Sequence, residues 1–206
     1  MAEISRSALF GKMNPLAYKA LEGATVFCKL RGNPYVEFVH WMHQVMQNPD
    51  SDLHRIIKHF QLDVSRLAAD VTASLDRLPR GASSISDLSN HLCEAVERGW
   101  TYATLMYGES AVRTGHVMVG VLKTVSLKGV LVSISREFDK VKEEQLSDGF
   151  TKITQGSPEA TMSAQDGSGL AGAAPGESSG AMAPAQMGKQ EALKKFCVDL
   201  TEKAAK

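Results

Sequence analysis

A chain of 206 residues, 43% of them apolar, can fill one well-packed domain and a short extension. Its formal net charge is zero, 23 basic residues against 23 acidic, which argues against nucleic acid or an anionic membrane surface as the main partner, since both require a basic excess. Three scattered cysteines, Cys28, Cys93 and Cys197, fit a reducing compartment better than a disulfide framework; the opening MAEISRSALFGKM does not read as a secretory leader, and no apolar run is long enough to span a membrane.

In chain order, Glu3 to Lys12 is a short amphipathic segment with Ile4, Ala8, Leu9, Phe10 and Met13 on one broad face. A helix this short needs something to pack against, and the alternative is a frayed terminus. Asn14 is placed to cap a helix and Pro15 to occupy its first turn. Ala17, Ala20, Leu21, Ala24, Phe27, Cys28 and Leu30 then recur at helical spacing until Gly32-Asn33-Pro34 stops them. A second apolar helix is expected over Val36 to Met46, a third over Leu53 to Phe60, and a fourth from Asp63 or Ser65 through Leu78. Pro79 to Ser84 reads as a connector, and no convincing strand pattern appears.

The second half repeats the first. Its helices are expected from Ser86 to Tyr107, Val112 to Leu122, Leu127 to Ser135 and Phe138 to Phe150. Ala20-Leu21-Glu22 aligns with Ala95-Val96-Glu97 at an offset of 75, and His40 with His116 at an offset of 76. This predicts an all-α pseudo-twofold tandem repeat of two four-helix units, residues 14–79 and 86–153, in a domain covering 1–154 with an extra N-terminal helix. Residues 155–190 are rich in Gly, Ala, Ser and Pro and are expected to be a flexible linker. Residues 191–206 look helical, with Leu193, Phe196, Cys197 and Leu200 on one uncovered face, as if a further domain began there.

Searching for chemistry yields little. There is no G-x-x-x-x-G-K-[ST] phosphate cradle. His40 and His43, His54 and His59, and His91 and Cys93 do not assemble the three or four converging ligands that zinc requires, so no metal or other cofactor is expected. Because His40 and His116 are repeat-equivalent, each is expected to hydrogen-bond within its own helix pair. Trp41, Trp100 and Met42, Met46, Met106 and Met118 read as core. A hydrolase on a helical scaffold is not excluded by spacing, but no residue favours one.

The double repeat, Leu21-Glu22-Gly23-Ala24, Pro34-Tyr35-Val36 before His40, and Gly115-His116 before an apolar helix resemble the Clp N-terminal domain of the Hsp100/Clp AAA+ unfoldases. Asn33-Pro34-Tyr35-Val36-Glu37, His40-Trp41, Leu78-Pro79-Arg80-Gly81 and Arg113-Thr114-Gly115-His116 are similar to the ClpV (TssH) branch, which serves bacterial type VI secretion. The tail Leu193 to Thr201 resembles the opening of the family's first AAA+ module. One departure is Val39, where the wider family has a Glu, so no role of that Glu is carried over.

The resemblance implies a recruitment domain without catalytic residues. In the ClpV branch this domain takes a helix near the N-terminus of the large sheath subunit (TssC or VipB type), so that contracted sheaths are disassembled and recycled. ATP, Mg and hydrolysis would belong to AAA+ modules outside this chain, in a cytoplasmic homohexamer of a Gram-negative bacterium, with the isolated domain a monomer. Within the family, a ClpB-like disaggregase domain that grips unfolded chain is the alternative. An amphipathic visitor helix needs an apolar groove. The candidates are Leu9, Phe10, Met13 and Leu16, with Ala20, Leu21, Ala24 and Thr25 on the adjoining helix, although the small residues could equally serve packing of the first or last helix.

Overall fold

Several helices of the domain begin where a side-chain oxygen accepts from the unpaired N–H groups of the first turn. The computed structural model describes residues 5–167, all within one compact unit, Met1–Gly169. The expectations for Ile4, for the linker beyond Gly167 and for residues 191–206 lie outside the described residues.

Ser5 caps α1 (Arg6–Gly11), and Asn14, with Pro15 behind it, caps α2 (Pro15–Arg31). Gly32 ends α2 in the left-handed region at φ 67°, a conformation that costs glycine least. α3 (Phe38–Met46), α4 (Asp52–His59, capped by Ser51) and α5 (Val64–Asp76, capped by Asp63) complete the first repeat. The second contains α6 (Asn90–Leu105, capped by Ser89), α7 (Thr114–Lys123) and α8 (Val125–Ile134). Gly108, at φ 66°, stands in the turn after α6 at the position equivalent to Gly32, one repeat later.

The core is continuous through both repeats. Trp41, Met42, Leu53, Leu67, Leu92, Met118 and Phe138 are fully buried, and Trp100 packs against them half-buried. α6 and α7 meet backbone to backbone: a Cβ on Gly120 would lie 2.7 Å from the Gly99 nitrogen, and one on Gly99 3.0 Å from Val117 Cα. Glycine is required on both sides of that crossing. His40 and His116 play matching parts, since the Nδ1 of each accepts the backbone N–H three residues earlier, Glu37 at 2.9 Å and Arg113 at 3.2 Å. Both histidines therefore hydrogen-bond within their own repeats, at the starts of α3 and α7.

Four expectations are corrected. The final helix over Phe138 to Phe150 is broken into a 3₁₀ turn (Arg136–Lys140), α9 (Glu143–Asp148) and α10 (Phe150–Ile153). Val141 and Lys142 are extended between the first two, and Gly149 separates the last two, with no room for a Cβ beside the Gln145 carbonyl at 2.8 Å. Second, two-residue strands do occur: β1 (Tyr35–Val36) pairs in parallel with β2 (Asp87–Leu88), and Met13 bridges Val112 in the same sense. Runs this short carry no alternating pattern to read. The pairings are repeat-equivalent, since Met13 corresponds to Leu88 and Val112 to Val36, so each repeat's entry segment is stitched to the other's turn.

Third, Met106 is 44% exposed rather than core, because α6 ends just before it. Fourth, residues 155–167 do not start a free linker. They fold back through a 3₁₀ turn, Pro158–Thr161, capped by Ser157, and bury Glu159 and Ala164. Among the described residues no single helix is long and apolar enough to cross a membrane, and α7 with α8 reaches that length only across a 111° bend.

Candidate peptide-binding site

The candidate groove residues divide by helix geometry. On α2, positions 16, 20, 23 and 27 lie on one side and 18, 21 and 25 on another. The first side faces α3: a Cβ on Gly23 would meet the Gln44 amide at 2.8 Å, and Phe27 stacks on His43 at 4.6 Å. Leu16 and Ala20 therefore belong to the α2–α3 seam, which Trp41 closes by donating to the Ala17 carbonyl at 3.1 Å. Leu21 and Thr25 lie on the other flank with Tyr18, and the Thr25 hydroxyl is held by the Leu21 carbonyl at 3.0 Å. Ala24 is fully buried between the two flanks.

α1 packs on α6 through buried Leu9 and Phe10, and its Arg6 pairs with Asp87 just ahead of α6. Met13 is wholly buried in its bridge to Val112. Six of the eight candidates, Leu9, Phe10, Met13, Ala20, Leu21 and Ala24, are thus buried in the free chain, while Leu16 and Thr25 are half-buried. Beyond them α2 presents Val26, 59% exposed, and Leu30, 79% exposed, as uncovered apolar side chains.

At the start of α2 lies a buried polar cluster that sequence reasoning missed. The Arg113 guanidinium grips Asp52 through two bonds of 2.8 and 3.0 Å and donates to Thr154 at 3.0 Å and Glu109 at 3.2 Å. Burial opposes its charge, but Asp52, Glu109 and Glu159 together outweigh burial and raise the Arg113 pKa. Glu159 accepts the Asp52 N–H at 2.7 Å, the Thr114 N–H at 2.7 Å, the Asn14 side-chain amide at 2.8 Å and the Thr114 hydroxyl. One carboxylate therefore serves the starts of α2, α4 and α7. Burial, reinforced by Asp52, pushes its carboxyl pKa up. The clue was Ser157-Pro158-Glu159, a cap, a proline and an acid in helix-start order, set in a segment whose composition reads as linker.

The histidines sit deep and neutral. Burial, aided by Arg31, lowers the His40 pKa to about 4, and burial with Arg113 lowers that of His116 to about 3. Among the described residues no group of three or more His, Cys, Asp or Glu is placed to hold a metal ion. What the surface offers is apolar contact along a helix.

The comparisons agree with this picture. A family model for the Clp repeat (R) N-terminal domain matches residues 12–134. The chain is 63% identical over 204 residues to the AAA+ ATPase ClpV1 of Pseudomonas aeruginosa, covering 99% of this chain and 22% of that protein. It is 42% identical over 200 residues to the chaperone protein ClpB of Yersinia enterocolitica, covering 96% of this chain and again 22% of the relative. The chain thus spans about a fifth of the length of these relatives.

Among solved structures, one from work on coevolution of the ATPase ClpV with the TssB–TssC sheath superposes at a TM-score of 0.75, with 62% identity, over 77% of this chain and 98% of that one. A complex of the ClpV N-domain with a VipB peptide shares the fold at a TM-score of 0.66 and 23% identity, over 77% of this chain and 97% of that one. On its repeats, its fold and these matches, the chain belongs to the Clp N-terminal domain family.

Proposed function

We propose that this domain recruits contracted type VI secretion sheaths to a ClpV-type AAA+ ATPase by capturing an N-terminal helix of the large sheath subunit. The observation that carries the reading is 62% identity to a solved chain from the ClpV and TssB–TssC work, across 98% of that chain. ATP and Mg binding, hydrolysis, hexamer assembly and a cytoplasmic setting belong to the parent protein in this reading. In this reading the visitor helix lies beside α1, with buried Leu9, Phe10 and Met13 supporting α1, and with Leu16, Ala20 and Ala24 packed behind Leu21 and Thr25 on α2. Tyr18, Leu21 and Thr25 form the contact flank, because α3 occupies the other side of α2.

The test is fluorescence anisotropy with a labelled peptide of the cognate subunit's N-terminal helix. Leu21→Asp is expected to weaken binding, but Leu21 is only 8% exposed, so a buried charge also costs stability. Thr25→Arg, at a half-buried site, is the cleaner probe and should weaken binding roughly tenfold, about 1.4 kcal/mol. Val125→Ala, on a side chain 89% exposed, is the control. Unchanged affinity in a folded Thr25→Arg chain would reject this site. The 42% identity to ClpB supports one second reading, transient capture of unfolded protein. That reading expects weak binding of denatured protein and no saturable preference for the sheath peptide.

A further inference from the structure

Residues 155–167 form a strap fastened at two places of unequal strength. At the near end Ser157 donates to the Asp50 carbonyl at 3.4 Å, Arg55 donates to the Gly156 carbonyl at 3.1 Å, and Glu159 holds the starts of three helices from a fully buried position. At the far end the Gln165 N–H donates to the Met13 carbonyl and the Asp166 N–H to the Gly11 carbonyl, each at 2.9 Å. Lys12 pairs with Asp166 at 3.0 Å, and both side chains keep about a third of their exposure.

Residues 11–14 are thereby flanked on both sides. Lys12 and Asn14 bond to Val112 along one edge, and Gly11 and Met13 accept from the strap along the other. A Cβ on Gly11 would stand 3.1 Å from the Asp166 Cβ, so the strap lies in direct contact with the end of α1. α1 is a six-residue helix, too short to persist without external support. Among the described residues its supports include the contact with α6, the Arg6–Asp87 pair and the strap.

We propose that the strap is a releasable clamp on α1, coupling occupancy of the sheath-helix groove to the chain that follows Gly167. The proposal rests on the recruitment reading for its ligand. Among the described contacts the far end is the releasable one, because two backbone bonds, a part-exposed ion pair and the small buried side chain of Ala164 hold it, while Glu159 anchors the near end from within the core. Docked, it fixes residues 11–13 and with them the wall that α1 contributes to the groove. Peeled back by displacement of the following chain, it leaves α1 to fray. Linkage makes the effect reciprocal: a helix bound beside α1 holds the strap down by the same factor by which the strap tightens binding.

The experiment uses the 206-residue chain and two variants, Gln165→Pro, which removes the N–H given to Met13, and Asp166→Lys, which sets like charges against Lys12. Hydrogen exchange is followed at Leu9, Lys12 and Met13 without peptide, with the α7 amides as internal control. The proposal expects those amides to exchange at least about fivefold faster in the variants while α7 is unchanged. Equal rates in all three proteins would overturn the clamp regardless of any ligand. With the sheath-helix peptide, the variants should bind at least about fivefold more weakly, and wild-type Gln165 and Asp166 should exchange more slowly when saturated. Full-affinity binding by the variants overturns the coupling and leaves recruitment standing. No binding by the wild-type chain overturns recruitment, and with it the coupling to a ligand.

Discussion

Replacing Asp52 by Asn tests the buried cluster where it is most exposed to failure. The Asp52 side chain is wholly buried and that of Arg113 only 5% exposed, so neither charge has water to fall back on. In Asp52→Asn the guanidinium loses a two-bond partner, and the new NH₂ points a donor at donors. Removing one member of a buried ion pair costs roughly 3–5 kcal/mol. Two features reduce this. Arg113 retains Glu109 at 3.2 Å, and the Glu159 carboxyl is relieved of the neighbouring charge that helps to raise its pKa. The net expectation is about 2–3 kcal/mol, which lowers the thermal midpoint of a domain this size by roughly 4–12 °C. Urea denaturation followed by circular dichroism measures it directly. Asp52→Asn with Arg113→Met removes both charges, and the double variant should be no less stable than Asp52→Asn alone. A cost below about 1 kcal/mol for Asp52→Asn, or strict additivity in the double variant, would refute the account.

Two further outcomes follow from the helix crossing and the buried histidines. Gly120→Ala would place a Cβ 2.7 Å from the Gly99 nitrogen, and its steric cost of about 1–3 kcal/mol should exceed the gain of about 1 kcal/mol in helix propensity. Gly129→Ala in α8 has nothing within 4 Å and should raise the thermal midpoint, so differential scanning of the pair separates crowding from propensity. His40 and His116 are held at about 4 and about 3, below the ordinary 6.5. Their contribution is fully present above about pH 6.5 and is lost as pH falls toward those values, on the order of 2 kcal/mol for each by pH 5. Glu109 and Glu159, raised in the fold, act in the opposite direction. The measurement is therefore a comparison of urea midpoints at pH 7 and 5 in the wild type and His116→Gln, whose smaller loss identifies the histidine's share.

What was legible in the sequence was what is local. Asn14, Ser51 and Asp63 act within three residues, and caps and helix starts emerge where those residues stand. The equivalence of His40 and His116 was sufficient to assign them to scaffold. The broken final helix was not legible, because the apolar spacing from Phe138 to Phe150 survives the break while the backbone between does not remain helical. The strap was hidden for a different reason: Glu159 bonds residues 45 to 145 positions away, and nothing in its neighbours announces so distant a set of donors. The groove candidates were read as one face, yet the structure assigns Leu16 and Ala20 to the α3 side of α2 and Leu21 and Thr25 to the other. Only the position of α3, a tertiary fact, separates them.

The repeats are equivalent in backbone and unequal in chemistry, and the inequality is concentrated at one end. Asn33 and Glu109 occupy matching places after Gly32 and Gly108. Asn33 satisfies its own repeat, bonding His40 Nε2 at 3.0 Å and the Pro79 carbonyl at 2.6 Å. Glu109 stands 3.8 Å from His116 Nε2, beyond hydrogen-bond reach, and turns instead to Arg113. Arg113, in the place that Glu37 holds in the first repeat, reaches across to Asp52 in that repeat. Both turns are stitched to the opposite repeat through backbone bonds, but only the second repeat's turn also sends a side chain, Arg113, across to the other half, whereas the Asn33 side chain bonds within its own repeat. The same asymmetry marks the paired edges. Val36 meets Leu88 with no strap beside it in the described residues, whereas the Met13 edge carries both α1 and residues 165–166. A duplicated fold would present two like surfaces if its ends were alike. Here α1, the strap and the Glu159 cluster all gather at the Met13 edge, so the surface proposed above for a visitor helix has no counterpart among the described residues of the Val36 edge.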